Sequence, residues 1–258
     1  MNARPHIDGS AGDVDYGVIG TGYAVYRQPD PRIAAQIARA LGDAGTVLNV
    51  GAGSGNYEPA DREVIAVEPS ATMRAQRPPG SPPAIDAVAE HLPFPDGAFD
   101  AVMASSTVHQ WADLAKGIAE MKRVSRGPVV VTVSDPVRLR EFWLADYFPE
   151  PLDVESTRFP PIEWLVELLG PETRVEPIPI PLDCTDGFCE AYYGRPERFL
   201  EPGVQGAMSS WTLVDPPLVR RFETRLSADL ASGAWDARYG YLRAQPEYDG
   251  SLRLVIRS

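Results

Sequence analysis

Three glycines spaced by two, Gly51, Gly53 and Gly55, follow directly on the apolar run Thr46–Val50. Side chains there would hold a ligand off the backbone, so the spacing points to a close-fitting cofactor. A nucleotide is the usual occupant of a strand that runs into such a turn. The spacing is not the G-x-G-x-x-G of a dinucleotide site, because position 56 is Asn56 and the third glycine comes one residue early. Glu68 ends the next apolar run, in Val64-Ile-Ala-Val-Glu-Pro-Ser70. A carboxylate at that strand tip can accept hydrogen bonds from both hydroxyls of an adenosine ribose. His109, in Ser105-Ser-Thr-Val-His-Gln-Trp111, follows the fourth run, at the end of the sheet where open α/β sheets place their ligands. An imidazole there could take a proton near neutral pH as a general base, or merely cap a loop. Asp135, at the tip of the fifth run, could orient that imidazole or touch an acceptor. A strand-end Asp before Pro136 is also a routine turn residue.

These residues need a sheet beneath them, and the apolar pattern supplies one. Short runs at Thr46–Val50, Glu63–Val67, 85–89, 99–104 and 128–133 have the composition of buried parallel strands. Helical periodicity lies between them. Asp30-Pro31 opens a helix carrying Ile33, Ile37 and Leu41, and Asp113 opens another with Leu114, Ile118, Met121 and Val124 on one face. The alternation predicts a Rossmann-like, doubly wound α/β fold. After Asp135 the rhythm breaks into aromatic-rich helical stretches at 137–148, Ile162–Leu169 and 217–232, with two late strands at 174–182 and Leu252–Arg257. The expected architecture is a seven-stranded, mostly parallel sheet with a helical lid. Residues 1–135 form the cofactor-binding core with an N-terminal lid segment. Residues 136–258 form the helical substrate-lid insertion plus the last two strands, all in one structural domain.

Composition narrows the partners. The chain has 258 residues, 44% of them hydrophobic, and a net charge of −12. Without a basic stripe to displace counterions, a nucleic-acid partner is not expected. The sequence shows neither a secretory h-region nor a run of about 18 apolar residues, so a cytoplasmic protein with no membrane partner is expected. Cys184 and Cys189 read as free thiols, and the scattered His6, His91 and His109 suggest no metal site.

The stretches VLNVGAGSG, AVEPSATM and AEHLPFPDGAFDAVMASSTVHQW, with their flanking helices, resemble class I S-adenosylmethionine-dependent methyltransferases. The likeness is to the subgroup of menaquinone/ubiquinone-biosynthesis and natural-product enzymes, and it covers about residues 16–135. The resemblance implies that Gly51, Ala52 and Gly53 lie under the methionine part of S-adenosylmethionine, with Glu68 on the ribose. It places Pro69 and Met73 on the adenine ring, Ala89 and Glu90 beside its edge, and Ser105 and Ser106 near the methionine amino group. An N-terminal cluster of Tyr16, Tyr23, Tyr26 and Arg27 would fold over the cofactor, Tyr26 and Arg27 being the preferred pair. His109 would face the transferred methyl. Two positions depart from the pattern, Asn49 where an acid is usual and Val88 where Asp is frequent. The acceptor would be a small molecule, and Phe142, Trp143, Tyr147, Trp164, Phe188, Tyr192, Tyr193 and Trp211 could line its pocket or simply form core. Asp186, Glu190 and Arg195 could meet its polar groups. The oligomeric state, monomer or homodimer, stays open. So do two other functions, an NAD(P)-dependent oxidoreductase and a catalytically silent S-adenosylmethionine-binding protein.

Overall fold

The computed structural model describes residues 6–8 and 23–258. Its centre is a six-stranded sheet of β1 (Thr46–Val50), β2 (Glu63–Val67), β3 (Ala101–Ser105), β4 (Val129–Ser134), β5 (Thr173–Pro177) and β8 (Leu252–Arg257), in the order β2-β1-β3-β4-β8-β5. The first four strands run parallel, and β8 is antiparallel to both its neighbours. The strands β6 (Ile180–Pro181) and β7 (Glu247–Tyr248) form a separate pair. The central strands are apolar on both faces because helices cover both, and Val129, Val130, Val131 and Val133 of β4 are all buried.

Two helices are set by the caps read in the sequence. In α1 (Pro31–Ala40) the Asp30 carboxylate accepts from Arg32 N–H at 2.9 Å, and Ile33 and Ile37 face the sheet. The short α2 (Ala71–Ala75) is capped by Ser70. In α3 (Leu114–Val124) Asp113 accepts from Lys116 N–H at 3.0 Å, and Leu114, Ile118, Met121 and Val124 are buried. Lys122 and Arg123 in its last turn oppose the partial negative charge of the free carbonyls.

Three expectations need correction. Among the described residues the sheet has six strands rather than seven. The stretch 85–89 contributes a single parallel bridge, Ile85 to Val67, with Ile85 N–H donating to Ala66 O at 2.8 Å. Pro82 and Pro83 before it bring no N–H to a ladder, and after Ile85 the chain leaves the edge to carry Ala89 and Glu90 over the carboxyl ends of the strands. The stretch 137–148 is not one helix but a short helix Pro136–Leu139 and a 3-10 turn Trp143–Asp146. An extended Phe142 separates them. The stretch 174–182 divides between β5 and β6.

The insertion after β4 is built on its own aromatic core. Trp143 meets Phe199 at 5.7 Å and Trp235 at 5.3 Å, Phe199 stacks on Trp211 at 5.8 Å, and Phe148 stacks on Phe222 at 4.8 Å. Phe142, Tyr147, Tyr192 and Tyr193 are buried in the same core, whereas Trp164 is exposed. Among the described residues no helix is long and apolar enough to cross a membrane.

One close contact ties α3 to the loop that precedes it. A Cβ on Gly117 of α3 would stand 2.4 Å from the Trp111 ring and 3.3 Å from Ala89 Cβ. Gly117→Ala should therefore push Trp111 off the helix, an overpacking change of about 1–3 kcal/mol. Thermal unfolding of the variant checks this, and an unchanged Tm would mean that the ring has room to move aside.

Candidate active site

Strand order reverses between β1 and β3, and ligands of open α/β sheets bind outside the carboxyl ends at such a switch point. There the glycine turn opens a first cavity of about 960 Å³. Gly51 has φ +69°, and a Cβ on it would lie 2.2 Å from Thr107 Oγ1, so only glycine lets the two segments touch. The turn's own N–H groups are largely spent. Those of Gly51 and Ala52 both donate to Val67 O at 2.9 Å, and that of Gly55 donates to Ala52 O at 2.8 Å. No helix follows before β2. The turn thus presents bare backbone surface rather than the free N–H groups and helix N-terminus that a diphosphate would need.

Glu68 forms the next wall. One carboxylate oxygen accepts from Gly53 N–H and the other from Ser70 N–H, both at 2.8 Å. Each oxygen keeps a lone pair for a further donor, so the carboxylate can take two neighbouring hydroxyls. Burial raises its pKa above the usual carboxylate range, opposed by those two N–H groups and by Arg74.

The cavity brings together most of the residues expected to bind cofactor: Arg27, Gly51, Ala52, Gly53, Glu68, Pro69, Met73, Ala89, Glu90 and Ser105 all line it. Glu90 is only partly available, because its Oε1 accepts from Asp113 N–H at 3.0 Å. Asn49 lies buried beneath the turn and donates to Glu58, which also receives both Arg77 nitrogens at 2.8 and 2.9 Å. A neutral amide leaning on a buried ion pair therefore replaces the usual acid. The two ends of the cavity differ. Pro69, Met73, Val88, Ala89 and Trp111 make one apolar, while Arg27, Asn56, Tyr57 and Ser106 make the other polar. A flat base suits the first, an amino acid the second, so the residues fit an adenosyl amino acid.

A second cavity of about 840 Å³ adjoins the first beneath the insertion. Ile33, Leu139, Phe159, Phe188 and Leu252 give it apolar walls, and Ser106, Thr132, Ser134 and Ser209 give it hydroxyls. Asp186 and Glu190 also line it. Burial pushes Glu190 up to about 7, although Ser251 donates to it through both N–H and hydroxyl. Arg195 instead donates to the Cys184 and Ala191 carbonyls. His109 lines this cavity, not the first. Its ring lies 4.5 Å from that of Phe159, and its Nδ1 has no partner among the described residues. Burial, with Arg158 and Arg27 nearby, pushes its pKa down to about 3.

Two residues expected at the site stand elsewhere. Asp135 lines neither cavity, because its carboxylate is taken up capping Pro136–Leu139 through Val137 and Arg138 N–H. Tyr26 also lines neither. Its hydroxyl packs on Gly203 of the insertion, where a Cβ would lie 1.9 Å away. Tyr16 and the Tyr23 side chain fall outside the described residues. Arg27 does reach the site, but in an ion pair: its Nε donates to Asp186 at 2.5 Å, and the Tyr57 hydroxyl donates to the same carboxylate at 2.8 Å.

The sequence reading misses Tyr57, Thr107 and Gln110, all of which line the first cavity. Tyr57 lies two residues past the glycine turn, and Thr107 and Gln110 lie within Ser105–Trp111 beside Ser106 and His109, so proximity could have found all three.

A family model for a methyltransferase domain matches residues 48–129. No curated protein matches the chain. Among solved structures, one from Anabaena variabilis described as a methyltransferase from an antibiotic biosynthesis pathway is 32% identical, with 90% of this chain and 99% of that one covered and a TM-score of 0.84. A Thermotoga maritima structure described as an S-adenosylmethionine-dependent methyltransferase is 15% identical over 92% of both chains, with a TM-score of 0.53, a likeness of fold alone.

Only the ionised form of Glu68 can accept from two hydroxyls while holding two backbone N–H groups. A raised pKa means protonation at a higher pH than for an exposed glutamate, so affinity for an adenosyl ligand should fall as the pH is lowered through that raised value. Titration calorimetry with S-adenosylhomocysteine checks this. Glu68→Gln should cost roughly 1.5–3 kcal/mol of binding and abolish the acid limb. An unaltered affinity in the variant would remove Glu68 from the ligand.

Proposed function

The chain belongs to the class I S-adenosylmethionine-dependent methyltransferase family, and we propose that it binds S-adenosylmethionine in the first cavity and methylates a small molecule held in the second. The observation that carries this reading is the junction between them. Arg27, Tyr57 and Ser106 line both cavities, so two ligands would meet across one layer of side chains. When bound, the sulfonium supplies an activated methyl group for in-line displacement. The chain's own part is alignment, for which well-held reacting pairs reach effective molarities of roughly 10⁵–10⁸ M.

His109 serves that alignment as a neutral imidazole. With its pKa held near 3, it stays uncharged at physiological pH and offers one donor and one acceptor nitrogen. The role of general base is opposed by the same surroundings, since Arg158 and Arg27 both disfavour a protonated ring. We therefore assign it the positioning of the acceptor beside Phe159. The apolar walls and hydroxyl rim suit a mixed-polarity biosynthetic intermediate, and the likeness to the Anabaena variabilis protein supports a natural-product acceptor. A nicotinamide dinucleotide fits less well, because the N–H groups of Gly51, Ala52, Gly53 and Gly55 are already bonded and no helix follows the turn.

A thermal-shift comparison tests the cofactor. S-adenosylmethionine and S-adenosylhomocysteine at ~100 times their Kd should each add about 2.7 kcal/mol, with no rise from NAD(P)H. A rise with NAD(P)H alone would overturn the assignment. For the positioning role, His109→Phe should leave S-adenosylhomocysteine affinity unchanged and raise the acceptor KM. The wild-type rate should show no limb near pH 6.5. A limb there that vanishes in the variant would restore the general base.

A further inference from the structure

Gln110 lines the first cavity with both ends of its amide unpaired, whereas Asn49, in the same cavity, at least donates to Glu58. Gln110 is 9% exposed, yet neither its Nε2 nor its Oε1 has a hydrogen-bond partner among the described residues. A buried amide with both ends unpaired costs free energy in the folded chain, and native structures seldom keep one without a ligand or water to complete it.

Its surroundings say which part of a ligand completes it. Gln110 ends the 3-10 turn Val108–Gln110, and the next residue, Trp111, lies over Gly117 beside Ala89. Asp113 N–H then joins the segment to Glu90. The turn therefore feeds into the apolar end of the cavity, walled by Pro69, Met73, Val88 and Ala89, where a flat base fits. Polar side chains are scarce at that end. Val88 has none to offer, and Glu90 can only accept and is already anchored. An adenine edge sets an amine donor beside a ring-nitrogen acceptor, and a carboxamide is the side chain that matches both at once.

We propose that the Gln110 carboxamide reads the adenine base, accepting from the exocyclic amine and donating to the neighbouring ring nitrogen. The assignment rests on the proposed adenosyl cofactor. It makes Gln110 the residue that selects adenine where Val88 offers no polar group.

The test is titration calorimetry of the wild type and Gln110→Leu with two ligands, S-adenosylhomocysteine and its analogue lacking the 6-amino group. The variant should bind S-adenosylhomocysteine on the order of ten-fold more weakly or worse, as loss of a paired amide contact implies, while its loss toward the analogue should be clearly smaller, because only the bond to the ring nitrogen is left to lose. Equal weakening toward both ligands would place the amide on the ribose or amino acid instead and overturn the proposal, as would no weakening at all. The ligand-free variant should melt at the wild-type temperature or above it, because an unpaired buried amide has been replaced by an apolar group of similar size. A lower melting temperature would assign the amide to the fold and overturn the proposal. Failure of the wild type to bind S-adenosylhomocysteine is a distinct result, and would overturn the proposed cofactor and this assignment together.

Discussion

Asp186 holds Arg27 and Tyr57 on one carboxylate, and three separate stretches of chain meet through it. Arg27 belongs to the segment before α1, Tyr57 to the glycine turn and Asp186 to the insertion. The backbone repeats the connection. Arg27 and Asp186 form a β-bridge, Gly187 N–H donates to Tyr26 O at 2.8 Å, and Asn56 donates to Arg27 O at 3.0 Å. The Asp186 side chain is only 3% exposed, so the ion pair works in a medium of low polarisability, where losing either partner strands a charge. Tyr57 adds a backbone in the left-handed region at φ 63°, a conformation that costs a non-glycine residue about 1–2 kcal/mol and that the bond to Asp186 helps to hold. Both cavities take their shared wall from this one cluster.

The cofactor side was legible in the sequence because its chemistry is local. A turn that a ligand must approach needs glycine whatever surrounds it, and an acid at the tip of β2 points outward from any parallel sheet. Gly51, Gly53 and Glu68 do stand together around the first cavity. How the turn uses its N–H groups was not legible, because their partner, Val67 O, depends on where β2 pairs. The apolar run 85–89 shows the limit of periodicity. Composition marks it as buried, and so it is in part, yet only Ile85 bridges the sheet while Ala89 serves the cavity instead.

His109 divides along the same line. Its place beyond β3 was legible, and its protonation was not, since Arg158 and Phe159 come from a helical segment that no local pattern connects to it. Gln110, its neighbour, is more opaque still. An amide reads the same in a sequence whether or not its bonds are satisfied, and only the packed structure reveals that they are not. The insertion resisted reading for another reason. Its aromatics follow the rules of a core, and most of them are core, so the wall of the second cavity falls to Phe188, Phe159 and smaller residues without a shared motif.

The ends of the sheet bear on a matter apart from ligands. A strand at the rim of a sheet exposes a row of unpaired amides that can recruit another chain. Here β5 is one such rim. Its outward residues include Arg174 and Glu176, both about half exposed and paired at 2.8 Å, and Pro177 ends it with no N–H to give. At the opposite rim β2 is met by one residue, Ile85, behind Pro82 and Pro83. One rim thus carries opposed charges and a proline stop, and the other is partly covered by a proline-led stub. Among the described residues neither is a long, bare template for strand addition, so the sheet resists growing into a fibril.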